Sequence, residues 1–432
     1  KIIIFIVYAI FITSCSLNKN SKFWSATQNI PKEQQSNFKK IFVEEEVVGK
    51  ELNTNVLINL GNMIDNNPKI SHYFNNDGRS NYNGLLKKSS RYKFSKIKKF
   101  HQFEPIISFD GQNIIFFDNK GSILKFNQES KLIWKKNYYS KLEKKLKPIL
   151  QFANDGTILL VADNIAKYFA LDLKSGEILW SKNNLAPFNS QIKIHNNKFF
   201  IIDFSNTLRC FSLKDGNELW NVKTENSLIK SQKKLSMVIV NDLLYFKNSI
   251  GDISAVDIKE GELIWQLPTQ NSMIYEAAFS LETSDLVTDG KTLFFSNNKN
   301  QFFSIDLETG GFNWENKVNS NLRPSLIGNY IFTVSLEGYL IVIEKKTGNI
   351  IRVTDIFRNF KKKIREKIQP VGFVVGFKNI YLTTDSGRLL VIDIKSGKTS
   401  SILKIDSDKI SRPFILNKNL FVVKDNAIIK LD

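Results

Sequence analysis

From about residue 92 to the C-terminus the chain alternates short apolar runs with polar turns, and the runs have the length and spacing of strands. In Lys198-Phe-Phe-Ile-Ile-Asp-Phe-Ser-Asn-Thr-Leu-Arg-Cys-Phe211, an apolar run reaches a polar turn and then a second, alternating run. This is the pattern of a β-hairpin. Equivalent turns stand at Asp118–Gly121, Ser249–Asp252, Leu336–Gly338 and Thr384–Gly387, and most hairpins follow a further run closed by a turn such as Asp110-Gly111, Asn154-Asp155-Gly156 or Asp289-Gly290.

After each hairpin comes a recurring frame. Ala170-Leu-Asp-Leu-Lys-Ser-Gly-Glu-Ile-Leu-Trp180 repeats as Ala255-Val-Asp-Ile-Lys-Glu-Gly-Glu-Leu-Ile-Trp265 and as Ser304-Ile-Asp-Leu-Glu-Thr-Gly-Gly-Phe-Asn-Trp314, and a copy with Ser212 in place of Asp ends at Trp220. Weaker copies end at Trp134, Arg352 (around Gly348) and Ser401 (around Gly397), so the terminal positions are spaced by 46, 40, 45, 49, 38 and 49 residues. Each unit therefore holds four strands, and four antiparallel strands at this period are the signature of a propeller blade.

The frame has a physical reading. Gly176, Gly216, Gly261 and Gly310 free the backbone for a tight turn, and Asp172, Asp257, Asp306 and Asp393 accept the N–H groups of that turn. Trp134, Trp180, Trp220, Trp265 and Trp314 then cover the junction with the neighbouring blade. Seven units end in this way, while residues 413–431 supply only three strands. The missing strand is expected from Tyr92–Lys98, giving an all-β, eight-bladed propeller of four-stranded antiparallel blades over 91–432, closed by an N-terminal strand.

The front of the chain has a different character. Lys1 precedes eleven residues, Ile2 to Ile12, that are apolar or Tyr, too short a run for a ~30 Å hydrocarbon core and suited to a signal peptide over 1–14. Ile12-Thr13-Ser14-Cys15 resembles a bacterial lipobox, which implies cleavage before Cys15 and acylation of that residue. Ser16 and Leu17 follow with no Asp retention signal, so the expected location is the outer membrane, anchored by lipid and facing the periplasm. Residues 15–90, rich in Asn, Lys and Ser, are expected to be a tether, partly extended or disordered.

Charge and composition narrow the chemistry. The formal charge of +19 comes with Lys and Asn scattered over loops, without the motifs that accompany nucleic-acid binding, and no nucleic-acid partner is expected. Two cysteines, Cys15 and Cys210, and three separated histidines, His72, His101 and His195, offer no disulfide framework, metal site or catalytic constellation. No enzyme activity, metal or cofactor is expected. The link Phe357–Ile368 stands apart, since Phe357, Phe360, Ile364 and Ile368 recur at near-helical spacing among six basic residues. A short amphipathic helix on the propeller is expected there, with lipid or an acidic partner as the alternative.

The Asp-x-x-x-Gly-x-x-x-Trp frame resembles the repeats of pyrroloquinoline quinone enzymes, and together with the lipobox and eight blades the chain is similar to the BamB family of outer-membrane barrel assembly lipoproteins. That resemblance implies a non-catalytic scaffold that binds the periplasmic domains of a BamA-like barrel protein and assists barrel folding and insertion, with unfolded outer-membrane proteins as further partners. It also implies contacts on the two loops after Trp220 and Trp265. Leu228, Ile229 and Lys230 stand on the first and Glu276 and Glu282 on the second; Lys230 replaces the family's Arg and loses its bidentate fork. The competing readings are a quinone-dependent or other small-ligand propeller, or a scaffold for another envelope complex.

Overall fold

A computed structural model describes residues 49–62, 72–225, 231, 233–269 and 281–432. The described chain holds eight four-stranded antiparallel sheets. Within each blade the strands are lettered A to D in sheet order from the channel outward. Blades 1 to 7 run in sequence order, their A strands being Ser108–Asp110, Leu150–Asn154, Lys193–His195, Met237–Val240, Val287–Thr288, Ser325–Ile327 and Pro370–Val375. Blade 8 takes Phe414–Leu416, Asn419–Lys424 and Ala427–Leu431 from the C-terminus and Lys88–Lys93 as its outermost strand.

The ring therefore closes with an N-terminal strand, but at a different register from the Tyr92–Lys98 expected. Tyr92 pairs with Ile428 near the end of the strand, and its ring is buried while its hydroxyl donates to the Gln128 carbonyl of blade 1 at 3.0 Å. Past Lys93 the chain turns away, with the Phe94 and Ile97 N–H groups bonded to the Asn426 and Asp425 carbonyls. The pairing lies N-terminal to the apolar alternation that the sequence displays.

Burial explains the composition of the strands. B and C strands such as Ile158–Asp163 and Lys167–Asp172 are buried almost throughout, because each sheet is covered on both faces by neighbouring blades. D strands such as Ile178–Asn183 alternate exposed and half-buried positions, as expected of an edge covered on one side only. Beside each repeat tryptophan the C–D pairing carries a bulge: Trp180 opposes Ala170 while Ile178 opposes Leu171, leaving Leu179 as the extra residue. The same shift recurs at Trp134, Trp220, Trp265, Trp314 and Arg352.

The tryptophan and glycine of the frame work across the blade boundary. A Cβ placed on Gly216, whose φ is +68°, would lie 2.6 Å from the Trp180 ring of the preceding blade. A Cβ on Gly176, Gly261, Gly310 or Gly348 would lie 2.6–2.9 Å from Trp134, Trp220, Trp265 or Trp314 in turn. The indole N–H groups of Trp180, Trp220, Trp265 and Trp314 donate at 3.1–3.2 Å to the carbonyls of Leu213, Ile258, Leu307 and Lys345. In blade 1 the Trp134 N–H has no hydrogen-bond partner and Lys125 Nζ takes the corresponding Leu173 carbonyl at 2.8 Å.

Two later junctions keep this geometry with other side chains. Arg352 is fully buried against Gly397 and donates to the Ile394 carbonyl at 3.0 Å, to Val56 at 3.1 Å and to Lys395. At the closure from blade 8 to blade 1, the Tyr92 hydroxyl takes the equivalent part. The frame aspartates are turn-formers: Asp172 Oδ1 accepts the Ser175 N–H and hydroxyl, both at 2.7 Å.

Parts of the stretch read as a tether lie on the propeller. Leu52 and Val353 exchange both backbone hydrogen bonds at the outer edge of blade 6, and Ile58 is buried there with its N–H on the Lys395 carbonyl. Residues 75–82 enter the ring and are mostly buried. Residues 1–48, including the expected signal peptide and Cys15, lie outside the described residues. The 357–368 link contains a one-turn helix, Lys362–Arg365. Phe357 and Ile368 are buried and Phe360 and Ile364 pack beside them, while Lys361, Lys362, Lys363 and Lys367 are exposed.

Candidate functional site

The D-to-A links that follow Trp220 and Trp265 are tied to each other and to the blades at their described ends. The Ser231 hydroxyl, at the end of the first, donates to the Leu281 carbonyl at the end of the second at 2.6 Å. At their other ends, the Glu225 carbonyl accepts from Asn206 Nδ2 at 2.8 Å, and the Thr269 hydroxyl donates to the Gly251 carbonyl at 2.8 Å. Leu228, Ile229, Lys230 and Glu276 lie outside the described residues. Glu282 is described and exposed; its backbone pairs with Asn298 and its carboxylate accepts from Asn321 Nδ2. These bonds hold the anchor of the second link in place and leave its carboxylate at the surface.

Inside the ring a second constellation appears that no short motif announces. Just before or at the start of the A strands stand Glu104 in blade 1, Lys193 in blade 3, Lys233 and Lys234 in blade 4, Asp285 in blade 5, Arg323 in blade 6 and Arg412 in blade 8. Because A strands of successive blades converge on the axis, residues far apart in sequence meet. Arg323 Nε donates to Asp285 Oδ2 at 2.7 Å, and Lys233 Nζ lies 3.4 Å from Glu104 Oε1.

The inserted segment adds its own groups to this ring. Asn75 Nδ2, with two N–H groups to donate, lies 2.9–3.1 Å from acceptors on Gln191, Ser236, Met237 and Leu286, in three blades. Asn76 pairs both ways with the Leu326 backbone, and the Ser80 N–H bonds the Val375 carbonyl at 2.9 Å. Between them Asp77 bridges two arginines, Arg412 at 2.9 Å and Arg323 at 3.5 Å. Beside the isolated bridge of Arg79 with Val375, polar side chains of this segment thus replace ladder bonds that a strand would have made.

Electrostatics in the ring follow from burial. Burial, with Arg323 nearby, pushes Lys193 down to about 7, and burial also takes Lys247 to about 7 and Lys234 to about 8. Lys247 is held by the Thr283 hydroxyl and by the Ser284 carbonyl at 2.9 Å. For Asp285 burial works in the opposite sense, but Arg323, Lys234 and Arg412 hold its carboxyl far below the ordinary carboxylate range. His72 is lowered to about 3, first by burial and then by Lys193, so its imidazole is neutral near pH 7.

A cavity of about 880 Å³ opens against the inserted segment, and its lining includes Asp77, Lys193, Arg323 and Arg412. Among the described residues no group of three or more His, Cys, Asp or Glu is arranged to hold a metal ion, and no helix is long and apolar enough to cross a membrane. Cys210 is buried in blade 3, where burial raises its thiol to about 12.

Residues 119–354 match the family model described as outer membrane protein assembly factor BamB. An outer membrane protein assembly factor BamB of Shewanella oneidensis is 25% identical over 287 residues, covering 60% of this chain. The match spans 66% of that relative, slightly less than two thirds of its length. Among solved structures, BamB from Moraxella catarrhalis superposes with a TM-score of 0.63 at 14% identity, over 81% of this chain and 100% of that one. The quinohemoprotein alcohol dehydrogenase of Comamonas testosteroni superposes with a TM-score of 0.59 at 8% identity, over 80% and 76%. At these identities both structures speak to the fold.

Proposed function

The chain belongs to the BamB family of outer membrane protein assembly factors, whose model covers more than half of its length, and from that premise we propose that it is a non-catalytic scaffold of outer-membrane barrel assembly. The family match carries the reading. In it, the protein is held by acyl chains on Cys15 at the periplasmic leaflet of the outer membrane. It binds the periplasmic domains of a BamA-like barrel protein and assists the folding and insertion of barrel substrates, with unfolded outer-membrane proteins as further partners.

The contact surface in this reading is the pair of links after Trp220 and Trp265. Leu228 and Ile229 supply apolar anchors, Lys230 a cation, and Glu276 and Glu282 acidic partners. Their joined ends, tied through Ser231 and Leu281, support a single composite surface, since bonded anchors hold two loops in a common orientation at little further entropic cost. Edge pairing like that of Leu52 with Val353 is a second mode available to an extended partner.

Affinity capture of a large barrel protein from solubilised membranes tests the proposal. The full chain is expected to retain it, and Leu228→Glu with Lys230→Glu to release it. Failure of the unaltered chain to capture any barrel protein would remove the scaffold reading. Stoichiometric quinone binding with dye reduction would replace it with the small-ligand propeller.

A further inference from the structure

The cavity inside the ring has a mixed lining: Ile107, Phe109, Phe152 and Phe414 are among its apolar residues, and Lys193, Arg323, Arg412 and Lys418 are its lysines and arginines. Asp77 is the single carboxylate among the residues that line it, and it is already shared between Arg323 and Arg412. Asp285 stands behind, committed to Arg323. Lys234, close to Asp285, Glu104 and both arginines, adds a further positive group, and Glu104 is itself paired with Lys233.

Cations around this cavity therefore outnumber the carboxylates that face them. Buried charge without a counter-charge is strongly unfavourable, and the lysines respond by losing proton affinity, Lys193 to about 7 and Lys234 to about 8, burial being the first cause in each. Asp77 also shows how the arginines receive an oxyanion: they converge on its two carboxylate oxygens from different blades. Arg412 is steadied over the Phe414 ring, its guanidinium carbon 4.9 Å from the ring centre. A fixed planar guanidinium favours recognition of carboxylate and phosphate groups.

We propose that this cavity binds a small organic oxyanion, a carboxylate or phosphate group on an apolar or aromatic body. Arg412, Arg323 and Lys193 take the anionic head beside Asp77, and Phe109, Phe152 and Phe414 take the body. The proposal is independent of the scaffold reading, because the cavity lies within the ring and its ligand groups are distinct from the two links. Groups that face Lys193 are His72, Asp77, Lys234, Asp285 and Arg323. Of these His72 is neutral near pH 7, and an arriving anion favours the protonated form of the lysines, raising their proton affinity.

Calorimetric titration of the full chain in detergent, at fixed ionic strength, tests this with phenyl phosphate, benzene-1,3-dicarboxylate and inorganic phosphate. Saturable one-to-one binding of at least one aromatic anion is expected, tighter than that of inorganic phosphate. Proton uptake near pH 8 should accompany it, read from the dependence of the heat on buffer. The two aromatic probes distinguish a phosphate from a carboxylate head. Lys193→Met and Arg412→Gln should each weaken binding at least tenfold, with folding checked by circular dichroism; if Arg412→Gln does not fold, Lys193→Met decides. Absence of saturation with every probe overturns the proposal, and so does equal affinity in Lys193→Met, which would place the anion on the basic outer surface.

Discussion

Gly216→Ala probes the contact that joins one blade to the next. The new methyl carbon would stand 2.6–2.9 Å from three atoms of the Trp180 ring, at a residue whose φ is +68°. Two penalties follow. A left-handed conformation costs a non-glycine residue about 1–2 kcal/mol, and forcing an extra carbon into a packed junction costs about 1–3 kcal/mol more. Trp180 must also retreat from Phe199, on which it stacks with ring centres 6.0 Å apart, and from its hydrogen bond to Leu213. Gly111→Ala supplies the control, because Gly111 has a φ of +59° with nothing within 4 Å of the added carbon. Urea unfolding followed by tryptophan fluorescence should therefore give midpoints in the order unaltered chain, Gly111→Ala, Gly216→Ala, with the second step attributable to the clash. Equal midpoints for the two variants would mean that the close approach of glycine and tryptophan carries no energy of its own, and the argument for the frame would fail.

Other consequences can be checked with similar means. Arg352→Ala leaves the Ile394 and Val56 carbonyls without their donor and the Lys395 carbonyl with the Ile58 N–H alone, at about 1–3 kcal/mol for each orphaned carbonyl that water does not reach; Arg352→Trp, which restores the residue of the five tryptophan junctions, should recover part of the lost urea midpoint. Deleting residues 88–93 removes the outer strand of blade 8 and the Tyr92 bond to blade 1, so the ring should open and the melting temperature fall; an unchanged melting temperature would contradict closure by this strand. His72 has a folded value of about 3 against an ordinary 6.5, so below pH 6.5 the unfolded chain takes up a proton that the folded chain refuses. Its contribution is thus intact above pH 6.5 and lost as pH falls towards 3, with a slope of at most about 1.4 kcal/mol per pH unit. His72→Gln should flatten urea stability between pH 6.5 and 5, and an undiminished slope would show that this imidazole is not held neutral.

Those perturbations divide the molecule into what its sequence makes legible and what it does not. The blades are legible because each strand carries its burial pattern locally, and the frame repeats with side chains that have few alternative uses: a glycine at positive φ, an aspartate closing a turn, a tryptophan large enough to bridge two sheets. Where the repeat substitutes, the role survives under another name. Arg352 looks like a degenerate end of a frame, yet it reaches the carbonyl after Asp393 as Trp180 reaches the carbonyl after Ser212. Tyr92 does the same across the closure, and its strand pairs N-terminal to the position that the pattern predicts, because the apolar alternation lies past the residues that pair.

The charged ring is hidden for a different reason. Glu104, Lys193, Lys234, Asp285, Arg323 and Arg412 are single residues far apart in the chain, each just before or at the start of a short apolar run, where a lone charge looks like part of a solvated loop. The propeller removes that solvent by bringing the beginnings of its A strands together around one axis. The sequence holds a faint signal, since these charges recur within a few residues of the start of an A strand, but their positions and signs differ and no period of like residues results. Asp77 had no signal at all: its partners Arg323 and Arg412 come from two other parts of the chain, and it sits in an Asn-rich stretch whose composition argues for a tether. Local pattern determines the blades, whereas the chemistry of the channel arises only when the ring closes. Substitutions in that channel should consequently alter anion affinity at Arg412 and Lys193 while leaving the two outer links, and capture of a barrel partner through them, unchanged.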